Sequence, residues 1–168
     1  LGWFSDRLPD DAEAADWWWL KGDLLSRLRD FDRAGTCLEE GSRRQPTDPW
    51  GQVCRALHCE RMDRVGEADE AIGKALELNP RYPHALQMKA HLLQVQGRLA
   101  EALEALEAAC SNTEHGLCAQ QLAGLYKELS RPDDLDRILT RHEALSPLAS
   151  PSMLQGRARF RAEAACQR

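Results

Sequence analysis

The sequence predicts an all-α fold of helical hairpins stacked side by side, and three observations carry that prediction. Alanines stand at positions 34, 68 and 102, so one constant step recurs along the chain. Around them the columns at the same spacing are small or apolar: Gly22, Ala56 and Ala90; Leu25, Cys59 and Leu93; Phe31, Val65 and Leu99; Leu38, Ile72 and Leu106; Gly41, Ala75 and Ala109. Pro46 and Pro80 close successive units at that step. A period of this length marks one supersecondary unit copied along the chain, each copy unable to bury its apolar face alone. Small residues at helix midpoints let neighbouring axes approach, and the larger apolar residues fill the layer between hairpins.

The elements follow in order from caps and periodicity. Asp10, Asp11, Glu13 and Asp16 lead a first helix expected over 11–28, where acidic residues complement the positive end of the helix dipole. A second helix is expected over 31–44. Asp48 before Pro49 and Tyr82 before Pro83 place proline at the first helical position, so helices are expected over 49–62 and 83–96, with partners over 65–78 and 99–110. A fourth, degenerate unit is expected over 115–129 and 132–144, where Leu122, Ala123, Tyr126, Leu129, Leu135, Leu139 and Pro147 keep the columns. In that unit Leu135 stands where alanine is expected, and the step from Pro80 to Pro147 is 67 rather than 68, so one residue has been lost. Ser130 followed by Asp133 reads as a capping box for its second helix. Ser150 before Pro151 opens a last helix over 151–166, which carries Met153, Leu154, Phe160 and Ala164 and the basic Arg157, Arg159 and Arg161. The expected total is nine helices and no strands.

The stretch from Arg64 to Pro80, with Glu67-Ala68, Ala71-Ile72, Lys74-Ala75-Leu76 and Leu78-Asn79-Pro80, resembles the second helix of the tetratricopeptide repeat. The resemblance covers about three repeats well, from Asp16 to roughly Cys110. It implies a right-handed superhelical stack of about four repeats, with units near 15–48, 49–82, 83–114 and 115–147. Residues 1–10 would form a lead-in to an array over 11–147, and 148–168 a C-terminal capping helix of structural role.

Composition agrees with a soluble array. The chain has 168 residues, 43% apolar and 29% charged, enough to bury a sizeable core as one domain. A net charge of −5 and a pI near 5.6 argue against a nucleic-acid partner, which needs a basic face. No segment has the apolar length of a membrane span and no signal peptide is visible, although a membrane tether elsewhere in a parent chain stays open. The chain starts at Leu1 without methionine and is read as a portion of a longer protein. The opening Leu1, Gly2, Trp3, Phe4 and Leu8 are read either as an interfacial stretch after a span or as a short helix covering the first repeat.

Six cysteines contain no Cys-x-x-Cys pair, and Cys37, Cys59 and Cys110 fall in or beside core columns, so buried free thiols are expected. That usage points to a cytoplasmic setting, including the cytoplasmic face of a membrane. A bridge between Cys110 and Cys118 across the turn joining units three and four would be the exception.

Catalysis is not expected. Cys54 and His58 share one helical face, but two ligands do not close a zinc site, and no third residue nearby orients the histidine for a thiolate. His84 and His91 are seven apart, which a helical rise of about 1.5 Å per residue turns into roughly 10 Å. The phosphate-loop, nucleophile-elbow and His-Glu-x-x-His motifs are all absent from the sequence. No metal or cofactor is expected.

The family resemblance assigns function to a concave groove lined by the first helix of each unit. It places there Asp16, Trp19, Asp23 and Arg27 from unit one; Trp50, Val53, Leu57, Glu60 and Arg61 from unit two; and Tyr82, His84, Gln87, His91 and Gln94 around unit three. Trp and Tyr would anchor an apolar helix or extended peptide of a partner protein. Within Trp17-Trp18-Trp19, successive residues turn by about 100°, so the three cannot face one neighbour; Trp18 is read as the inward one. Either Trp17 or Trp19 then needs a cover, from the N-terminal segment, another subunit or a ligand. Another branch of the family grips chaperone C-terminal carboxylates through lysine, asparagine and arginine. The corresponding positions here hold Trp19, Asp23, Cys54, His84 and Met88, so that mode is set aside. The leading expectation is a noncatalytic adaptor, placed by analogy in a bacterial secretion or exopolysaccharide-export assembly at a membrane. The alternatives are a targeting or regulatory domain of a larger enzyme such as a glycosyltransferase, or a self-association module.

Overall fold

A computed structural model describes residues 14–112 and 116–145. These form eight α-helices: α1 (Ala15–Arg27), α2 (Phe31–Arg44), α3 (Pro49–Arg61), α4 (Val65–Leu78), α5 (Pro83–Val95), α6 (Leu99–Asn112), α7 (Gly116–Glu128) and α8 (Pro132–Leu145). The expected helix over 151–166 and residues 11–13 of the first lie outside the described residues. The starts of α1, α3 and α5, at Ala15, Pro49 and Pro83, keep the step of the alanine columns, as do those of α2, α4 and α6 at Phe31, Val65 and Leu99. The advance from Leu99 of α6 to Gly116 of α7 is one position shorter than those from Phe31 to Pro49 and from Val65 to Pro83. The missing residue of the fourth unit therefore belongs to the stretch between Leu99 and Gly116.

The turn inside each hairpin repeats one backbone device. Arg29, Asp63, Gly97 and Ser130 take φ values of 63°, 59°, 75° and 54°, the left-handed conformation that ends a helix. The following amide then reaches back over the last turn: Asp30 to Leu25 O at 3.0 Å, Arg64 to Cys59 O at 2.9 Å, Arg98 to Leu93 O at 2.9 Å and Arg131 to Tyr126 O at 2.8 Å. Only Gly97 adopts this region without steric cost; each side-chain-bearing residue there gives up roughly 1 kcal/mol. The next helix opens on an i,i+3 ion pair, Arg64 with Glu67, Arg98 with Glu101 and Arg131 with Asp134, reversed in charge as Asp30 with Arg33. This geometry corrects the expected capping box. Ser130 ends α7 with a positive φ rather than capping α8, and Arg131 pairs with Asp134 in its place.

Contacts divide the chain within α5 into two units, residues 1–88 and 89–168. In the first, α1 packs on α2, α3 on α4, and α3 also meets α1 and α2. Ala34, Ala56, Ala68 and Ala75 are fully buried at the close approaches. At Gly22 a side chain would come within 2.6 Å of Leu38 Cδ2, so the helix crossing requires the missing methyl. Trp19, Ala15, Leu38 and Cys54 form one core cluster, with Trp50 packed against its edge. In the second unit α7 packs on α6 and α8. Leu135 fills the position held by alanine in earlier units and is fully buried, and the Tyr126 hydroxyl donates to Glu107 Oε1 at 2.7 Å.

Candidate functional site

The site begins at two helix N-termini related by the repeat. Pro49 occupies the first position of α3, and Asp48 Oδ1 accepts from the Trp50 amide at 2.8 Å, which fixes the chain as it enters the helix. One repeat later Pro83 opens α5 and His84 stands where Trp50 stood. The two equivalent side chains meet edge to face, with ring centroids 5.2 Å apart. Tyr82 adds a second edge contact to His84 at 5.7 Å. Trp50, Tyr82 and His84 are each half-buried, so the cluster keeps apolar surface in reach of solvent.

Beside it lies a charged group. Asp23 on α1 pairs with Arg27 at 2.8 Å and, across the helices, with Arg61 on α3 at 2.8 Å. The Arg61 contact is electrostatic, since its N–H does not point along the line to the Asp23 oxygen. Burial, reinforced by the nearby Asp23 carboxylate, pushes the Cys54 thiol up to about 12. At neutral pH it is therefore a protonated core thiol, a poor nucleophile. Burial also raises the Tyr82 phenol, helped by Asp48.

The structure sorts the expected groove residues into two sets. Asp23, Trp50, Leu57, Glu60, Arg61, Tyr82, His84 and Gln87 are half-buried and Arg27 is exposed. Trp19 and Val53, by contrast, are buried at 0% and 2% exposure and present no surface to a partner. Residues 19, 53 and 87 form one repeat column, and its first two members point into the core. His91 belongs to the second unit. The expected orientation of the tryptophans is also corrected. Trp19 rather than Trp18 is the innermost, because Gly41 on α2 and Gly51 on α3 leave a slot for its indole. Trp18 is half-buried, with Lys21 and Arg44 each 5.5 Å from its ring centre.

Two features escaped the sequence reading. Leu20, Leu24 and Leu28 follow one another at single-turn spacing on α1 and at its end and are exposed, an apolar strip on the helix that starts the array. His58, read only against Cys54, instead bonds through Nδ1 to Ser26 Oγ at 3.1 Å in the buried layer between the first two repeats. Phe31 packs edge-on against its ring at 5.8 Å. His58 also borders a cleft of about 670 Å³ between α2, α3 and α4, shared with Phe31, Gly35, Gln52 and Arg55. A serine hydroxyl on the preceding hairpin carries no sequence signal for such a pair.

Burial lowers the His58 pKa, and Arg61, Arg64 and Arg55 add to the effect. The neutral imidazole is therefore the native form, while the unfolded chain takes up its proton near pH 6.5. This stabilisation is fully present above about pH 6.5 and is lost as pH falls from there through the lower folded value. Urea midpoints measured at pH 7.5 and 5.5 should drop more for the wild type than for His58→Phe. Equal drops would place the pH sensitivity elsewhere.

Among the described residues no group of three His, Cys, Asp or Glu side chains converges on a metal position, and no helix is long and apolar enough to cross a membrane.

Comparison with known proteins fits this geometry. Tetratricopeptide repeat models match residues 15–48 and 71–104. No curated protein sequence matches the chain. Among solved structures, Pseudomonas aeruginosa pilF superposes with a TM-score of 0.70 at 20% identity, covering 92% of this chain and 73% of that one. PilW, a widely conserved type IV pilus biogenesis factor, gives 0.64 at 17% identity, with 94% and 77% covered. The first such domain of Spaghetti (RPAP3), bound to the HSP90 peptide SRMEEVD, gives 0.58 at 20% identity, with 71% and 95% covered. The hairpin period, the turn geometry and the two family matches together show that this chain carries tetratricopeptide repeats, at residues 15–48 and 71–104.

Proposed function

We propose that this chain is a noncatalytic adaptor that binds a peptide or helical segment of a partner protein on the face formed by α1, α3 and the start of α5. The domain class is one of protein–protein interaction modules, and solved relatives of the same fold include peptide complexes. The observation that carries the reading is the half-exposed cluster of Trp50, Tyr82 and His84. Rigid aromatic rings offer large contact area at little entropic cost, and the neighbouring Asp23, Arg27 and Arg61 supply a polar rim. An apolar or aromatic anchor residue of the partner suits this surface better than an acidic tail, because the basic side chains here are already held by Asp23. The setting we favour is a membrane-associated bacterial assembly, in keeping with the shared fold of the pilus biogenesis factor PilW. Buried free thiols favour the cytoplasmic side.

The test is selection of peptides from a random library on the wild-type domain, followed by affinity measurements on variants. Trp50→Ala should weaken the selected peptides about 30-fold, or ~2 kcal/mol, and a Tyr82→Ala, His84→Ala double variant should weaken them similarly. Because Trp50 also touches the core, helicity and thermal midpoint are measured alongside. Unchanged affinity in folded variants would remove the binding face from this cluster.

A further inference from the structure

Two exposed leucines of α1 stand in columns that the rest of the array buries. At the repeat step Leu20 leads to Cys54, Met88 and Leu122, and Leu24 to His58, Leu92 and Tyr126, all of them buried. Leu20 and Leu24 themselves are 52% and 41% exposed. In α3 and α7 the cover comes from the second helix of the hairpin before. Cys54 shares a core cluster with Leu38 of α2, a side chain at Gly35 of α2 would stand 3.9 Å from His58 Nε2, and Tyr126 bonds Glu107 of α6. On α1, therefore, the face that meets solvent is the one on which α3 and α7 receive the preceding hairpin. Leu28 is different, because its column is exposed again at Gln96 and Ser130 and needs no cover.

The sequence before α1 carries the matching half of that seam. In the same register Phe4 falls in the column of Leu38, Ile72 and Leu106, which are buried in every second helix that holds them. Leu1 falls at the position of Gly35, beside the His58 column to which Leu24 belongs. The chain length fits as well, since four residues join α2 to α3 and α4 to α5, and four stand between Asp10 and the start of α1. Arg7 departs from the small column of Gly41, Ala75 and Ala109. Gly41, however, is small for Trp19 of its own hairpin, so the departure does not touch the face turned to the next one. We propose that residues 1–10 are the occupant of the exposed face: they dock on α1 as the second helix of a partial hairpin, with Phe4 over Leu20 and Leu1 over Leu24. The array thereby closes its own first end, and the strip does not compete with the Trp50 cluster for a partner.

The experiment replaces Leu24 in the whole chain with the photo-crosslinking residue p-benzoylphenylalanine, a change that an exposed position tolerates. The purified chain is illuminated and digested with trypsin, and the products are read by mass spectrometry. Position 24 lies in the peptide Gly22–Arg27, and cleavage after Arg7 releases Leu1–Arg7. The expected product joins these two peptides within one chain, in a yield independent of protein concentration. Adding Leu1→Asp and Phe4→Asp should cut that yield about tenfold, because carboxylates enter an apolar seam only at a cost. Crosslinks between two chains, rising with concentration, would make a second copy the occupant and overturn the proposal. It is equally overturned by the absence of any crosslink to Leu1–Arg7, or by a yield that the two aspartates leave unchanged.

Discussion

Trp19→Ala is expected to destabilise the domain by about 3–5 kcal/mol, the largest loss of any single truncation in the first two hairpins. The indole is fully buried and is joined in its cluster by Ala15, Leu38 and Cys54, with Trp50 at the edge. A tryptophan of this kind buries roughly 150–250 Å², worth about 4–6 kcal/mol at ~25 cal/mol per Å². The void left behind could not collapse easily, because three helices border it and their spacing is set elsewhere by alanine contacts. Trp19→Phe should lose much less, since Nε1 has no hydrogen-bond partner in that core and the indole N–H contributes nothing that phenylalanine lacks. Urea unfolding followed by far-ultraviolet circular dichroism gives both values. A cost below about 1 kcal/mol for the alanine variant would mean that Trp19 faces solvent or a partner, as the groove assignment from the repeat first implied.

The contrast between that assignment and the structure shows what a repeat sequence reveals. Helix limits were legible to within a residue or two at most ends, because proline at the first helical position, the alanine columns and the constant repeat step are local or strictly periodic signals. The lost residue of the fourth unit was legible for the same reason. Which of three adjacent tryptophans turns inward was not, because the answer lies on other helices: Gly41 and Gly51 together open the slot. Both glycines were visible, and Gly41 even stood in a column with Ala75 and Ala109, but membership of a small-residue column hides the one methyl that separates glycine from alanine. The Ser26–His58 bond and the left-handed Ser130 failed for a related reason, since each is decided by a partner or a turn closure rather than by neighbouring residue types. For the binding face, columns 16, 50, 84 and 23, 57, 91 were placed by family resemblance, and only coordinates separate them from column 19, 53, 87, which turns partly into the core.

Gly41→Ala should therefore destabilise the domain by about 1–3 kcal/mol, although the same change in an ordinary helix interior stabilises by up to ~1 kcal/mol. A methyl at position 41 would stand 2.5 Å from Trp19 Cδ1 and Nε1, and a rigid indole held on its far side by Gly51 cannot swing away. At Gly51 the corresponding approach to Trp19 Cζ2 is 3.0 Å, so the ring is pinned between two helices. Gly73 on α4 gives the opposite case: nothing lies within 4 Å of a side chain there, and Gly73→Ala should stabilise by about 0.5–1 kcal/mol. Two glycine-to-alanine changes in neighbouring hairpins are thus expected to differ in sign. The double variant Trp19→Ala, Gly41→Ala isolates the cause. With the indole gone, the added methyl no longer meets it and partly fills the void, so the second substitution should become neutral or stabilising, a coupling of about 1 kcal/mol or more. If Gly41→Ala costs the same in both backgrounds, the glycine serves the backbone of α2 rather than the tryptophan, and the slot does not explain which tryptophan turns inward.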